Sequence, residues 1–256
     1  MDPKPASVAG YSIQSVLGTG GTGTVYLAHD GAHVVALKVF DSGRPSTAAL
    51  VHPHIMPVLD RGRTDSGKHW MAMPYVPGGD ADSELRAGRM PPDRALQIIA
   101  GVAEALDFAH SHGVLHGDVK PSNFLLDEDD WALLTDFGMP PFVRNGTVLT
   151  SAAYASPELL RGKDIDGRAD VYSLGCSLFR LLTGKPPFFD AGSKDAVVQA
   201  HLHRDAPRVT GFAPWLPTAM DDVVATAMAK ASGKRFQTAR TLADAPVTAL
   251  GRPTRR

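Results

Sequence analysis

Asp118, Lys120 and Asn123 fall within His116-Gly117-Asp118-Val119-Lys120-Pro121-Ser122-Asn123, and Asp136 follows in Asp136-Phe137-Gly138. Transfer of a phosphoryl group needs a carboxylate to orient the attacking hydroxyl, a lysine to neutralise charge on the migrating group, and two oxygen ligands for magnesium. The four residues meet those needs in that order. Each alone would ordinarily be a solvated loop or helix-cap group, so it is the joint spacing that points to a site.

A second set lies nearer the N-terminus. Gly18-Thr-Gly20-Gly-Thr-Gly23-Thr-Val25 reads G-x-G-x-x-G-x-V, and glycines let backbone amides approach a polyphosphate without obstruction. A dinucleotide-binding fold would need a helix straight after the glycines, whereas Val25-Tyr26-Leu27-Ala28 is a β-type run. Further on, Val35-Ala36-Leu37-Lys38 puts a lysine inside an apolar strand, where a charge is costly unless paired. A phosphate oxygen is its natural partner; a lysine snorkelling from an edge strand is the alternative.

The elements that must position these residues are β-rich first and helical afterwards. Strand patterns run through Ile13-Leu17, Val25-Leu27, Val34-Leu37, Val58-Leu59 and Trp70-Met73, which predicts a small antiparallel sheet. The character changes near Pro74 to Gly79. A long helix is expected over Ala95 to Ala109, short strands at Phe124-Leu126 and Ala132-Thr135, and helices over Asp170-Thr183, Lys194-Leu202 and Asp221-Lys230. The 256 residues suffice for one large domain or two lobes around a cleft, and a net charge of −1 argues against nucleic acid or an anionic membrane as main partner. The single cysteine, Cys176, can form no internal disulfide, which suits a reducing, cytoplasmic compartment. There is no signal-like start and no apolar run of ~18 residues. Residues 251–256 read as the start of a basic linker, as in a chain continuing towards a membrane span, or as a frayed end.

The motifs together resemble the bacterial eukaryotic-type Ser/Thr protein kinases, most nearly the actinobacterial Pkn receptor kinases and, among them, the PknI branch. Ser156-Pro157-Glu158, Asp170-Val-Tyr-Ser-Leu-Gly175, Gly184-Lys-Pro-Pro-Phe188 and Lys234-Arg235-Phe236 extend the resemblance over nearly the whole chain. It implies an α+β bilobal fold, with a tail over 1–10, a small lobe over 11–76 and a mainly helical lobe over 77–250. It implies ATP with Mg2+, or Mn2+, as cofactors, and protein substrates as partners. Asp118 and Lys120 would be catalytic, and Asn123 and Asp136 would bind metal. Gly18, Gly20, Gly23, Val25, Ala36, Lys38, Met73 (the gatekeeper position), the Pro74 carbonyl and the Val76 amide would contact nucleotide. His116, Phe137 and Gly138 would support the core, Glu158 would pair with Arg235, and Asp170 would brace the catalytic loop.

Two departures stand out. Kinases of this type carry a helix after the lysine strand with a glutamate that pairs with the lysine. Here Asp41, Gly43 and Pro45 interrupt the only available segment, at best one turn forms at Ser46 to Leu50, and no glutamate occurs between Lys38 and Glu84. Asp41 or Asp136 is the substitute available to Lys38. The short helix is expected to leave an apolar flank of the small lobe uncovered, a place for a second copy or partner protein. Gly117 also replaces the arginine that, in the family, receives a phosphorylated activation loop; Thr147, Thr150 and Ser151 are candidate phosphoacceptors. These losses favour a slow kinase, with a nucleotide-binding pseudokinase as the alternative and a scaffold that binds no nucleotide as a third reading. His52-Pro53-His54 lacks further ligands for a metal, and His110 and His112 are expected to cap the long helix.

Overall fold

A computed structural model describes residues 5–41, 49–88, 90–129, 131–137, 143–144, 147–148 and 152–251. Period-two alternation builds the first layer. Strands β1 (Ser7–Val8), β2 (Tyr11–Gly20), β3 (Gly23–His29), β4 (Val34–Phe40), β5 (Asp60–Arg63) and β6 (His69–Pro74) form one antiparallel sheet in the order β1-β2-β3-β4-β6-β5. Val35 and Leu37 point into one buried cluster with Ile13, Trp70 and Ala72. Ala36 and Phe40, on the other face, join Met56, Met71 and Met73. Alternation therefore assigns Lys38 to the Ala36 and Phe40 face.

The helical lobe is built on α2 (Pro92–Ser111), whose residues Leu96, Ile98, Ile99, Val102 and Leu106 are buried. Each such aliphatic side chain contributes about 1.5–3 kcal/mol of burial. Pro92 sits in its first turn, where the missing N–H has no helical partner to lose. The lobe also holds α1 (Ala81–Ala87), the hairpin of β7 (Phe124–Leu126) and β8 (Ala132–Leu134), and α3 (Pro157–Leu160); the short pair β9 (Val143–Arg144) and β10 (Thr147–Val148) falls between β8 and α3 in the chain. Then come α4 (Gly167–Thr183), α5 (Lys194–His203), α6 (Ala219–Ala227) and α7 (Ala239–Ala249). α2 packs against α4 and α7. The linker between the lobes runs over β7 because Gly78 has no Cβ; one there would stand 2.1 Å from the Leu126 carbonyl oxygen.

Three expectations need correction. Val58 and Leu59 are exposed and precede a strand that begins at Asp60. Register is set by Gly62 opposite Trp70, whose indole lies where a Cβ would be. Helices α1, α3 and α7 are additions to the elements that the sequence pattern predicts. The sheet face beside β4 is not left bare: Phe40, Met56 and Met71 are 1–7% exposed. The segment His54–Met56 is pinned there by Met56 N–H to Leu134 O (3.0 Å) and Leu134 N–H to His54 O (2.9 Å). The turn expected at Ser46 to Leu50 lies mostly outside the described residues, and 49–50 are not helical. Among the described residues no helix is long and apolar enough to cross a membrane.

Candidate active site

One cleft of about 1510 Å3 runs between the sheet and the helical lobe. Its upper end is lined by Gly18, Val25, Ala36, Met73, Pro74 and Val76, and its floor by Asp118, Lys120, Asn123 and Asp136. The far end reaches Ala152, Ala153, Val197 and Val198. Ligand pockets usually measure about 300–1,000 Å3, so there is room for a nucleotide and part of a second substrate.

The three motif glycines are there for different reasons. A Cβ on Gly18 or Gly20 would meet nothing within 4 Å, leaving open space over the cleft. Gly23 has φ 152° and passes so close to β4 that a Cβ would lie 2.0 Å from the Val39 carbonyl oxygen. It holds the turn against the lysine strand.

Lys38 is 3% exposed. Its Nζ lies 2.6 Å from Asp136 Oδ2 and 5.3 Å from the centroid of the Phe40 ring. Of the two substitutes open to the lysine, the structure uses Asp136, while Asp41 instead accepts from Lys68 at 2.7 Å. Asp136 has φ 66°, a left-handed conformation that a non-glycine residue adopts only when its surroundings hold it there.

The floor is held by side-chain bonds to one another and to the backbone. Asp118 Oδ2 accepts from Lys120 Nζ at 2.5 Å, and Asn123 Nδ2 donates to the Asp118 carbonyl at 2.8 Å. His116 Nδ1 accepts from Asp118 N–H at 3.1 Å, which puts the ring hydrogen on Nε2, 2.8 Å from the Thr135 carbonyl. The ring meets Phe137 edge-on at 4.8 Å. Thr135 Oγ1 reaches Met73 Sδ at 3.6 Å, linking the floor to the sheet.

Beneath, Asp170 is 1% exposed and accepts from His116 N–H (2.9 Å), Gly117 N–H (2.8 Å) and His110 Nε2 (2.8 Å). Burial alone would raise its pKa, yet the His110 hydrogen bond and the two nearby imidazoles hold the carboxyl below the usual range. His110 is thus a buttress for Asp170, a correction to the helix-capping expectation. A Cβ at Gly167 would strike its ring at 2.6 Å, so only glycine lets the two elements approach. His112 does take a backbone carbonyl of α2, that of Phe108 at 2.8 Å. Gly117 has φ 79°, so glycine suits the backbone at the place of the missing arginine. Farther out, Arg235 grips Glu158 with two bonds of 2.6 and 2.7 Å.

The donor set suits a hard divalent cation. Asn123 Nδ2 is committed to Asp118, which leaves its Oδ1, and Lys38 engages only Oδ2 of Asp136. Two oxygen donors do not close a coordination sphere, so a cation held by them needs further ligands from outside the chain. Among the described residues no cluster of three His, Cys, Asp or Glu could hold a metal. Gly138, Thr150 and Ser151 lie outside the described residues, as does the side chain of Thr147.

A curled sheet above a helical lobe, meeting at a cleft whose walls come from both, is the architecture of a protein kinase domain. The chain belongs to that family: residues 11–244 match the protein kinase domain. It is 46% identical to the serine/threonine-protein kinase PknJ of Mycobacterium tuberculosis, over 94% of this chain and 46% of that protein. It is 38% identical to PknF of the same species (91% of this chain, 54% of that protein) and 37% identical to PknH (98% and 44%). The chain spans about half the length of these curated relatives. The family works with ATP and a divalent metal ion.

Proposed function

We propose that this chain is the catalytic domain of an ATP-dependent Ser/Thr protein kinase that transfers the γ-phosphoryl group to protein hydroxyls, its own included, at a low rate. The observation that carries the reading is the meeting of Lys38 and Asp136 at 2.6 Å in the cleft that Asp118 also lines. Asp118 accepts a hydrogen bond from the acceptor hydroxyl and orients its oxygen towards the phosphorus. Lys120, paired with Asp118 in the free protein, turns to the charge developing on the transferred group, while Lys38 holds the non-reacting phosphates. Asn123 and Asp136 would hold Mg2+, or Mn2+ in its place, which neutralises phosphate charge. The hinge at Pro74 and Val76 would hold adenine, since only a carbonyl is needed at the proline. The division into a small lobe over 11–76 and a large one over 77–250, and the PknI-like placement, belong to the same reading. The latter rests on Gly117 and the short segment after Lys38.

The low rate follows from pairing. With no glutamate between Lys38 and Glu84, the lysine depends on the carboxylate that must also take the metal. A charge-assisted contact is worth about 1.5–3 kcal/mol, or roughly 10- to 200-fold in rate. That same observation favours the second reading, a pseudokinase that binds ATP without transfer. A partner chain or second copy at the small-lobe flank is a further part of the proposal, confined now to exposed Val51, Val58 and Leu59; light scattering showing a strict monomer at high concentration counts against self-association.

The test is radiolabel transfer from ATP to the chain itself and to a basic test protein, beside Asp118→Asn. Transfer that drops at least a hundredfold in the variant, with its Mg-ATP thermal shift retained, supports the kinase. A thermal shift without transfer at any wild-type concentration supports the pseudokinase. Equal label in both proteins, or no thermal shift at all, ends the kinase reading.

A further inference from the structure

Two adjacent phenylalanines in the turn before α5 have opposite surroundings: Phe188 is 2% exposed and Phe189 is 45% exposed. Phe188 takes φ 58°, a left-handed conformation costly for a non-glycine residue, and Gly192 at φ 80° closes the single 3-10 turn, Phe189–Ala191, that follows it. The packing of Phe188 holds that conformation. Its ring stands edge-on, at 4.9 Å, to the buried His201, whose pKa burial pushes down to about 4, so the histidine is neutral at physiological pH. The backbone that buries Phe188 thereby turns Phe189 outwards.

Phe189 does not stand alone. Its ring meets that of Phe212 edge-on with centroids 5.6 Å apart, and Phe212 in turn meets the fully buried Phe179 of α4 edge-on at 5.6 Å. Three rings thus run from the core of the helical lobe to its surface, where Phe212 is 38% exposed beside Phe189. Single exposed apolar side chains are ordinary, but a joined aromatic pair on a rigid support is what protein interfaces use as an anchor point. Two observations say what covers it. Phe189 lines the far end of the cleft with Leu160, Val197 and Val198, so the pair continues the space that leads to Asp118, and a chain presenting a hydroxyl there brings its flanking residues towards these rings. Lys185 Nζ lies over the Phe189 ring at 5.5 Å, so a basic side chain brought to the pair meets a like charge, whereas an apolar one does not.

We propose that Phe189 and Phe212 are a docking surface for the protein substrate, taking an aromatic or long aliphatic side chain from the segment that flanks the acceptor hydroxyl and disfavouring a basic one. The inference rests on the kinase reading and adds the class of substrate to it: a polypeptide with an apolar anchor near the phosphorylated Ser or Thr.

The experiment gives wild type, Phe189→Ser, Phe212→Ser and Phe189→Leu a set of serine peptides in which one flanking position at a time is Phe, Leu, Ala or Lys. For wild type, kcat/KM with Phe or Leu should exceed that with Ala by about five- to thirtyfold at one flanking position, the span of a partly buried apolar side chain, and Lys should fall below Ala there. Each Ser variant should bring that ratio to within about twofold of unity, with Mg-ATP affinity by calorimetry as in wild type, whereas a merely destabilised enzyme would slow all peptides alike and keep the ratio. Phe189→Leu, which restores apolar surface, should keep part of the preference. If Phe212→Ser, whose ring rests on Phe179, does not fold, the two Phe189 variants decide. Absence of a preferred position in wild type, or a ratio that survives the Ser variants, overturns the proposal. So does a wild-type dimer in light scattering that Phe189→Ser abolishes without any anchor preference, which would make the pair an interface between copies. Absence of transfer by wild type to every peptide overturns the kinase reading instead; fluorescence polarisation of the same peptides, labelled and with Mg-ATP present, then still reads the docking, and equal affinity for the Phe, Ala and Lys peptides overturns that too.

Discussion

Lys38 in the sheet and Arg235 in the helical lobe are both buried cations, 3% and 4% exposed, held in different ways. Arg235 has all five N–H groups engaged: two on Glu158 and one each on the carbonyls of Ala229, Arg168 and Lys230. The Tyr172 ring lies 4.8 Å from its guanidinium. Lys38 has one carboxylate and the face of Phe40. A saturated site in low dielectric resists rearrangement, since any motion leaves a buried charge unsatisfied. A singly paired ammonium can exchange partners, and its partner Asp136 is a carboxylate the proposed chemistry also assigns to metal. The surround of Glu158, Asp170 and Arg235 is therefore scaffold, and the Lys38–Asp136 pair, where sheet and floor meet, is the contact with fewer bonds to lose.

The contrast can be broken at its rigid end first. Arg235→Ala leaves Glu158 and three carbonyls without donors, and should lower unfolding free energy by about 3–5 kcal/mol, read from the urea midpoint at unchanged slope. Lys38→Met should do the opposite, keeping the urea midpoint near wild type while weakening Mg-ATP binding roughly 10- to 200-fold, equivalent to about 1.5–3 kcal/mol; calorimetry reads it. Similar stability losses in the two variants would erase the distinction between scaffold and working part.

Two smaller effects sharpen it. His201 has a folded-state pKa near 4 against 6.5 in the open chain, so the unfolded state binds more protons between those values and stability falls as pH drops through that window. Asp170, also held low, adds to the acid loss. His201→Phe removes the histidine part, and its stability curve between pH 6.5 and 4 should be flatter than that of wild type. The smallest effect is expected for Gly117→Arg, which restores the family residue at a backbone φ of 79°. The left-handed conformation costs about 1–2 kcal/mol, a fall of roughly 2–8 °C in melting temperature. A rise would mean that the loop relaxes out of that conformation.

Local pattern carried much of the fold. The glycine turn, the lysine strand, the long helix and the β7–β8 hairpin are written in short-range periodicity, and each lies where residue spacing puts it. Val58-Leu59 misled because two apolar neighbours look like a strand, while the true register depends on Gly62 lying under the Trp70 indole. His110 looked like a helix cap because Asp170, its partner at 2.8 Å, is 60 residues away.

By itself the sequence determined which chemistry is present: the residue types at 38, 118, 120, 123 and 136, the family they resemble, and the absence of a glutamate for the lysine. Tertiary structure alone decided which partner each of them takes. Lys38 goes to Asp136 while Asp41 goes to Lys68, and His110 goes to Asp170, because charges and donors are satisfied by whatever the packing of distant segments brings within hydrogen-bond reach.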